Sequence, residues 1–158
     1  MHSLYINREL SLLEFQKRVL AQALDEDVPL LERLRFLCIS CTNLDEFFEI
    51  RVAGLKQRME IGAPAQGPEK IPSQELFDTL REGVAELVQQ QYELLNEAMF
   101  PELTKACVRF ILSHYWIDEQ LAWLSEYFFE DVVPVLTPLT FDPSRPFPRI
   151  MNKCINLF

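Results

Sequence analysis

Apolar positions recur at three- and four-residue steps over most of the first hundred residues, the spacing of one buried helix face. Leu12, Phe15, Val19, Leu20, Ala23 and Leu24 give the first such stripe, and Ser11-Leu12-Leu13-Glu14 reads as a capping box at its start. The acidic run Asp25-Glu26-Asp27 ends the pattern, and Pro29 suits the first turn of a second helix, where the N–H it lacks would have no partner. Leu30, Leu31, Leu34, Leu37 and Cys38 mark that helix's buried side. A third helix is expected from Thr42, with Leu44, Phe47, Phe48, Val52, Leu55 and Met59 as its stripe. Between Ile61 and Ser73 the string GAPAQGPEKIP predicts a loop. A long helix follows, carrying Leu76, Phe77, Leu80, Val84, Leu87, Val88, Gln91, Leu94, Leu95 and Ala98, with Pro101 limiting its far end.

After Leu103 the pattern changes. Cys107-Val108-Arg109-Phe110-Ile111-Leu112 is short, apolar and partly β-branched, which fits a strand. Leu121, Leu124, Tyr127 and Phe128 suggest one more helix, opened by Asp118. Five of the ten prolines lie from Pro134 to Pro148 and force extended or turn structure on VVPVLTPLTFDPSRPFP. A further strand is expected over Ile150–Phe158, and a chain ending there reads as cut within a domain. The pattern therefore predicts a mainly α protein: an amino-terminal antiparallel helical bundle over 1–103, then a truncated α/β segment over 104–158. Phe15, Leu34, Leu37, Phe47, Leu55 and Leu80 are expected to be buried together.

Composition narrows the function classes. At 158 residues, 49% hydrophobic, the chain can bury a core without a disulfide or metal staple. Its longest apolar run, Val132 to Phe141, is too short for a membrane span and is broken by two prolines. Nothing in the opening residues marks a secretory signal, so a cytoplasmic location, or one at the membrane periphery, is expected. The formal charge of −9 opposes nucleic-acid binding, and the acid excess sits in the middle, with −6 over 62–103.

Few residues carry obvious chemistry. Cys38 and Cys41 form a C-x-x-C, but no second pair follows and the only histidines, His2 and His114, stand at no zinc spacing. Both thiols fit a helix, with at least Cys38 packed as a small hydrophobe. Asp45, Glu46 and Glu49, with Arg51 nearby, are conceivable as an acid–base set, but a solvated helix stripe explains them as well. Arg145, Arg149 and Lys153 read as loose surface charge, and Tyr115, Trp116 and Trp123 as core or interface aromatics. No P-loop, GxGxxG, GxSxG or HExxH string is present.

One stretch is specific as a string. YINRELSLLEFQKRVLAQALDEDVPLLERLRFLCISCTNLDEFFEIRVAGLKQ, from Tyr5 to Gln57, resembles the amino-terminal domain of the polyphosphate kinases that work through a phosphohistidine. VVPVLTPLTFDPSRPFP resembles the start of that family's second, or head, domain. Leu12, Gln16, Cys41-Thr42 and Arg149 depart from the family pattern. The resemblance implies an enzyme that passes the terminal phosphate of ATP to a histidine and on to polyphosphate, with Mg2+. Its histidine, phosphate-binding residues and metal site would lie in later catalytic domains, so no catalytic residue and no metal ligand is expected here, and this segment alone would be inactive. The one ligand residue it implies is Asn43, near the adenine of ATP; a helix-capping role for Asn43 stays open beside it. The implied partners are the remaining catalytic domains, ATP, polyphosphate and a second copy of the chain. The rival reading is a freestanding helical interaction module without catalysis.

Overall fold

The computed structural model describes residues 6–65, 67, 69–138, 144, 146–147, 149–150 and 155. Packing divides the chain between Phe110 and Ile111 into two units. In the first, α1 (Arg8–Leu24) and α2 (Leu30–Glu46) pair along their lengths, and α2 continues through a π-helical stretch, Phe47–Val52, into α3 (Ala53–Glu60). After the 61–72 loop, α4 (Ser73–Glu93) packs on both α1 and α3 and runs through a second π stretch, Leu94–Met99, into α5 (Phe100–Lys105). The mainly α fold expected from the spacing is what forms.

The start of α1 differs from the expected capping box. Asn7 is the cap: its Oδ1 accepts from the Glu9 and Leu10 N–H groups at 2.9 and 3.3 Å, while Ser11 already lies inside the helix. The helix face is rotated as well. Leu13, Gln16, Leu20 and Ala23 are buried, whereas Phe15 is 45% exposed beneath the Arg18 guanidinium, 5.8 Å from its ring centroid. Putting a glutamine inside moves the phenylalanine out, because Phe15 and Gln16 are ~100° apart around the helix. The face of α2 shows the same exchange, with Arg33, Leu37, Ser40 and Leu44 buried and Leu31 and Cys38 exposed. Of the six residues expected to share the core, Leu37, Phe47, Leu55 and Leu80 are buried, Leu34 packs at its edge, and Phe15 lies outside.

Two expected breaks do not occur. The helix does not restart at Thr42, which lies inside α2, and Pro101 does not end the long helix. Both continuities depend on the π stretches. The buried stripe steps from Phe47 to Val52, and later from Leu94 to Met99, by five positions instead of three or four. A five-residue step suits a π turn, whose N–H groups reach back five residues, as Ala53 does to the Phe48 carbonyl and Phe100 to that of Leu95. Each wide turn returns the following residues to the core side. The second also places Pro101 just after a widened turn, where its ring has room beside the preceding backbone.

Polar groups join the helices at two buried points. Arg33 on α2 donates from Nε to the Ala23 carbonyl at 3.0 Å and from Nη1 to Glu102 Oε2 on α5 at 2.8 Å. Its charge thus sits at the carbonyl end of α1, where a cation is favoured. Gln91 on α4 donates from Nε2 to Ser40 Oγ on α2 at 2.9 Å, and both residues are buried. Gly83 lets α1 approach α4 closely, since a Cβ there would stand 2.7 Å from Leu13 Cδ2. In the connecting loop, Gly62 and Gly67 adopt positive φ, the usual reason for glycine in a sharp turn.

In the second unit, α6 (Asp118–Tyr127) forms where expected, although Ile117 is its cap residue and Gln120 Oε1 accepts the Ile117 N–H at 3.2 Å. The 107–112 segment carries no strand: Cys107 sits in a turn with φ +64°, the residues after it are irregular, and no partner strand stands beside them among the described residues, whereas a strand needs such a ladder to satisfy its backbone. Within this unit Trp116 Nε1 donates to the Ile111 carbonyl at 3.0 Å, and Trp123 stacks on Tyr127 while remaining largely exposed. None of the unit's described residues is buried, so these aromatics are not core. Most of the strand expected over 150–158, the Arg145 and Lys153 positions, and most of 139–148 fall outside the described residues.

Two stability measurements check this packing. Phe47→Ala should cost about 3–5 kcal/mol in urea unfolding and Phe15→Ala under about 1 kcal/mol; equal losses would restore the face expected from the spacing. Arg33→Met keeps the stem but strands the buried Ala23 carbonyl, so a loss of about 1.5–3 kcal/mol is expected. Glu102 is partly open to water, which limits that figure, and Arg33→Met combined with Glu102→Gln should cost less than the two singly. Strict additivity would show that the pair does not act together.

Candidate functional site

Asn43 lies well inside α2, not at a helix start, so it caps nothing with its side chain. Its carbonyl instead accepts, together with that of Leu44, the N–H of Phe47, where the α-helix widens into the π stretch. The side chain is half-buried. Its neighbours one turn away are Ile39, 38% exposed, and Phe47, 4% exposed, and the buried Ser40–Gln91 hydrogen bond lies under the same stretch of α2. The amide is thus held at the shoulder of the bundle, with an open aliphatic side chain on one side and the core on the other. An amide offers one acceptor and two donor hydrogens in a plane, which matches the edge of a heterocyclic base. π turns are frequent beside functional positions, and this one begins four residues after Asn43.

The other chemistry-bearing residues do not join Asn43 in a cluster. Asp45, Glu46 and Glu49 are exposed, and among the described residues no three His, Cys, Asp or Glu side chains gather closely enough to hold a metal ion. His114 lies in a short 3-10 turn of the second unit, against Tyr115, and His2 is outside the described residues. Cys38, Cys41 and Cys107 are free thiols on exposed positions. Burial of part of Cys41, followed by its neighbours Cys38 and Asp45, raises its thiol above the usual range. Because thiolate is the reactive form, iodoacetamide should label Cys41 at pH 8 more slowly than it labels a small free thiol, and the lag should close as pH rises. Equal rates at pH 8 would contradict the raised value.

The residues that sequence reasoning passed over are structural or belong to a hollow apart from Asn43. Asn7, in the YINREL string, caps α1 and donates from Nδ2 to Glu69 of the connecting loop. Its signal was an Asn directly before Arg-Glu-Leu, a cap four residues ahead of the Ser that looked better. A hollow of about 570 Å³ opens between the start of α1, the turn into α3 and the start of α4; another of about 450 Å³, almost wholly apolar, runs between the Phe47–Val52 turn and α4. Asn43 lines neither.

Comparisons with known proteins agree with the fold and with each other. The profile of the polyphosphate kinase N-terminal domain matches residues 5–111, and that of the polyphosphate kinase middle domain matches residues 119–158. A polyphosphate kinase of Burkholderia cenocepacia is 48% identical over 151 residues, covering 96% of this chain, and one of Xylella fastidiosa is 49% identical over 154 residues, covering 98%. In both cases the chain spans only 22% of the relative's own length. The crystal structure of polyphosphate kinase from Porphyromonas gingivalis superposes with a TM-score of 0.65 at 28% identity, over 90% of this chain and 20% of that one. The match over 5–111 takes in more than half of the chain and the whole helical unit that carries Asn43, and on that ground the chain belongs to the polyphosphate kinase family, to its amino-terminal region.

Proposed function

We propose that the chain works as the amino-terminal part of an ATP–polyphosphate phosphotransferase, supplying a contact to the nucleotide base while the phosphoryl chemistry takes place elsewhere. The observation that carries this is Asn43 itself: a half-buried amide in a helix interior, without a capping task, at the widened turn of the NLDEFF segment. Its Oδ1 and Nδ2 pair with the adenine edge, and Ile39 gives the ring an aliphatic wall. Phosphoryl transfer requires a nucleophile, basic groups and, in this reading, Mg2+, all from the catalytic domains that the shared family supplies beyond this segment. ATP and polyphosphate are the substrates, and a second copy of the chain is the expected partner in the intact enzyme. The rival reading, a helical interaction module without catalysis, predicts no nucleotide effect from any substitution on this face of α2.

In the intact enzyme, Asn43→Ala should raise the KM for ATP roughly 2- to 13-fold, the worth of one neutral hydrogen bond of about 0.5–1.5 kcal/mol. Alanine is the better helix former, so the melting temperature should not fall. Asn43→Asp loses the amide donor and should fail to restore ATP binding. A normal KM in both variants would remove Asn43 from the site, and a lowered melting temperature with a normal KM would return it to a structural role.

The 158-residue chain alone, incubated with labelled ATP and Mg2+, should retain no acid-labile phosphate. Label on His2 or His114 would overturn the division of labour proposed here.

A further inference from the structure

The larger hollow is lined by three arginines: Arg8 from the first turn of α1, Arg51 from the π stretch and Arg58 from α3. In a chain of net charge −9 such a gathering is out of character, since like charges repel unless something answers them. Two carboxylates, Glu9 and Glu69, share the lining, and Glu69 is taken by the Asn7 amide. Among the described residues neither Arg8 nor Arg51 has a carboxylate within ion-pair distance, although acids line the same hollow. Arg58 donates to the Pro64 carbonyl at 3.1 Å, which pins its head group against the connecting loop.

A second feature points the same way. Ser73, the first residue of the 21-residue α4, lines the hollow, and no side chain caps that helix. The first N–H inside it to find a helical acceptor is that of Leu76, which bonds the Pro72 carbonyl at 3.0 Å. The N–H groups of Ser73, Gln74 and Glu75 are thus the orphan donors of the helix, with its positive dipole end behind them. Planar guanidinium forks and a helix start both select oxyanions with several acceptor oxygens, phosphate above all.

We infer that this hollow is a binding site for phosphoryl groups, held by Arg8, Arg51 and Arg58 with the Ser73 hydroxyl and the free start of α4, and separate from Asn43. The inference does not depend on Asn43 meeting adenine. Two sources share this chemistry: an inorganic oligophosphate, and the phosphate tail of a nucleotide.

The test is titration of the 158-residue chain with sodium tripolyphosphate at fixed ionic strength, read by calorimetry and by amide shifts in NMR. Saturable binding is expected, with the largest shifts at Ser73, Gln74 and Glu75, and with citrate at matched ionic strength failing to reproduce it. Arg51→Gln and Arg8→Gln should each weaken binding about tenfold, which corresponds to about 1.4 kcal/mol. Arg51→Lys should fall between, since it keeps the charge and loses the fork, while Asn43→Ala should bind tripolyphosphate as the native chain does. Circular dichroism checks that each variant is folded, and the exposed Arg8 provides the test should Arg51→Gln unfold. Displacement of bound tripolyphosphate by ATP assigns the site to nucleotide phosphates, and its persistence assigns it to the inorganic chain; both support the site. Non-saturable binding, equal binding of citrate, or native affinity in folded Arg51→Gln and Arg8→Gln would overturn it. So would a loss in Asn43→Ala as large as that in Arg51→Gln, which would merge the two sites without touching the KM test of Asn43.

Discussion

One buried guanidinium sets the terms for the helical unit. Arg33 meets the end of α1 through the Ala23 carbonyl and the start of α5 through Glu102, so its neighbour in sequence and a helix far from it both answer to one side chain on α2. A buried cation is tolerated only when its donors are satisfied, which makes the position of each partner a condition on the others. The α1–α2 turn must be short enough to return Arg33 to Ala23. The helix after Glu93 must reach Glu102 in the correct rotation, and the π stretch at Leu94–Met99 is what brings Leu103 to the core and Glu102 to Arg33 together. The Ser40–Gln91 bond repeats the arrangement farther along the pair α2 and α4, again with polar atoms where hydrocarbon would pack more simply. Such contacts add direction to a core that hydrophobic burial alone would leave free to slide.

This explains which parts of the fold were legible in the sequence. The existence and order of the helical stretches followed from spacing, as did the loop before Ser73, since both depend on local pattern and on proline and glycine, whereas the continuity through Thr42 and Pro101 did not. The rotation of each helix did not follow. A reading that assigns the interior to apolar residues places Phe15 and Cys38 inside and Gln16, Arg33 and Ser40 outside, and the structure exchanges them. Arg33 and Ser40 enter because specific partners across the bundle satisfy them, and partners distant in sequence leave no periodic trace; Gln16 is buried with its Oε1 unanswered among the described residues. The capping box at Ser11 misled for a related reason: a good local motif lost to Asn7, whose Nδ2 also donates to Glu69 of the connecting loop. A strand at Cys107–Leu112 was suggested by composition, yet composition cannot supply the partner strand.

The candidate site was legible only as a string. Nothing in spacing or charge singles out Asn43, and the turn chemistry that suggested a cap there is contradicted by a helix running straight through it. What marks the residue is the resemblance of the NLDEFF segment to a family, now matched across 5–111. The arginine hollow was hidden for the opposite reason, since Arg8, Arg51 and Arg58 are scattered along the chain and converge only when α1, α3 and the start of α4 come together. An overall acidic charge spoke against nucleic-acid binding, and net charge is blind to such local convergence.

The two widened turns also bear on how this chain tolerates changes in its length. Within an ordinary helix, removing one residue rotates everything downstream by ~100° and turns the buried stripe toward water. Between Phe47 and Val52, or between Leu94 and Met99, the interval is already one residue longer than a regular turn. Losing a residue there would let the backbone close into plain α-helix while leaving both flanking stripes on the core side. The bundle therefore carries two slack points in its register, one beside Asn43 and Arg51 and one just before Glu102. A one-residue deletion confined to them would be repaired locally instead of being passed along the whole helix.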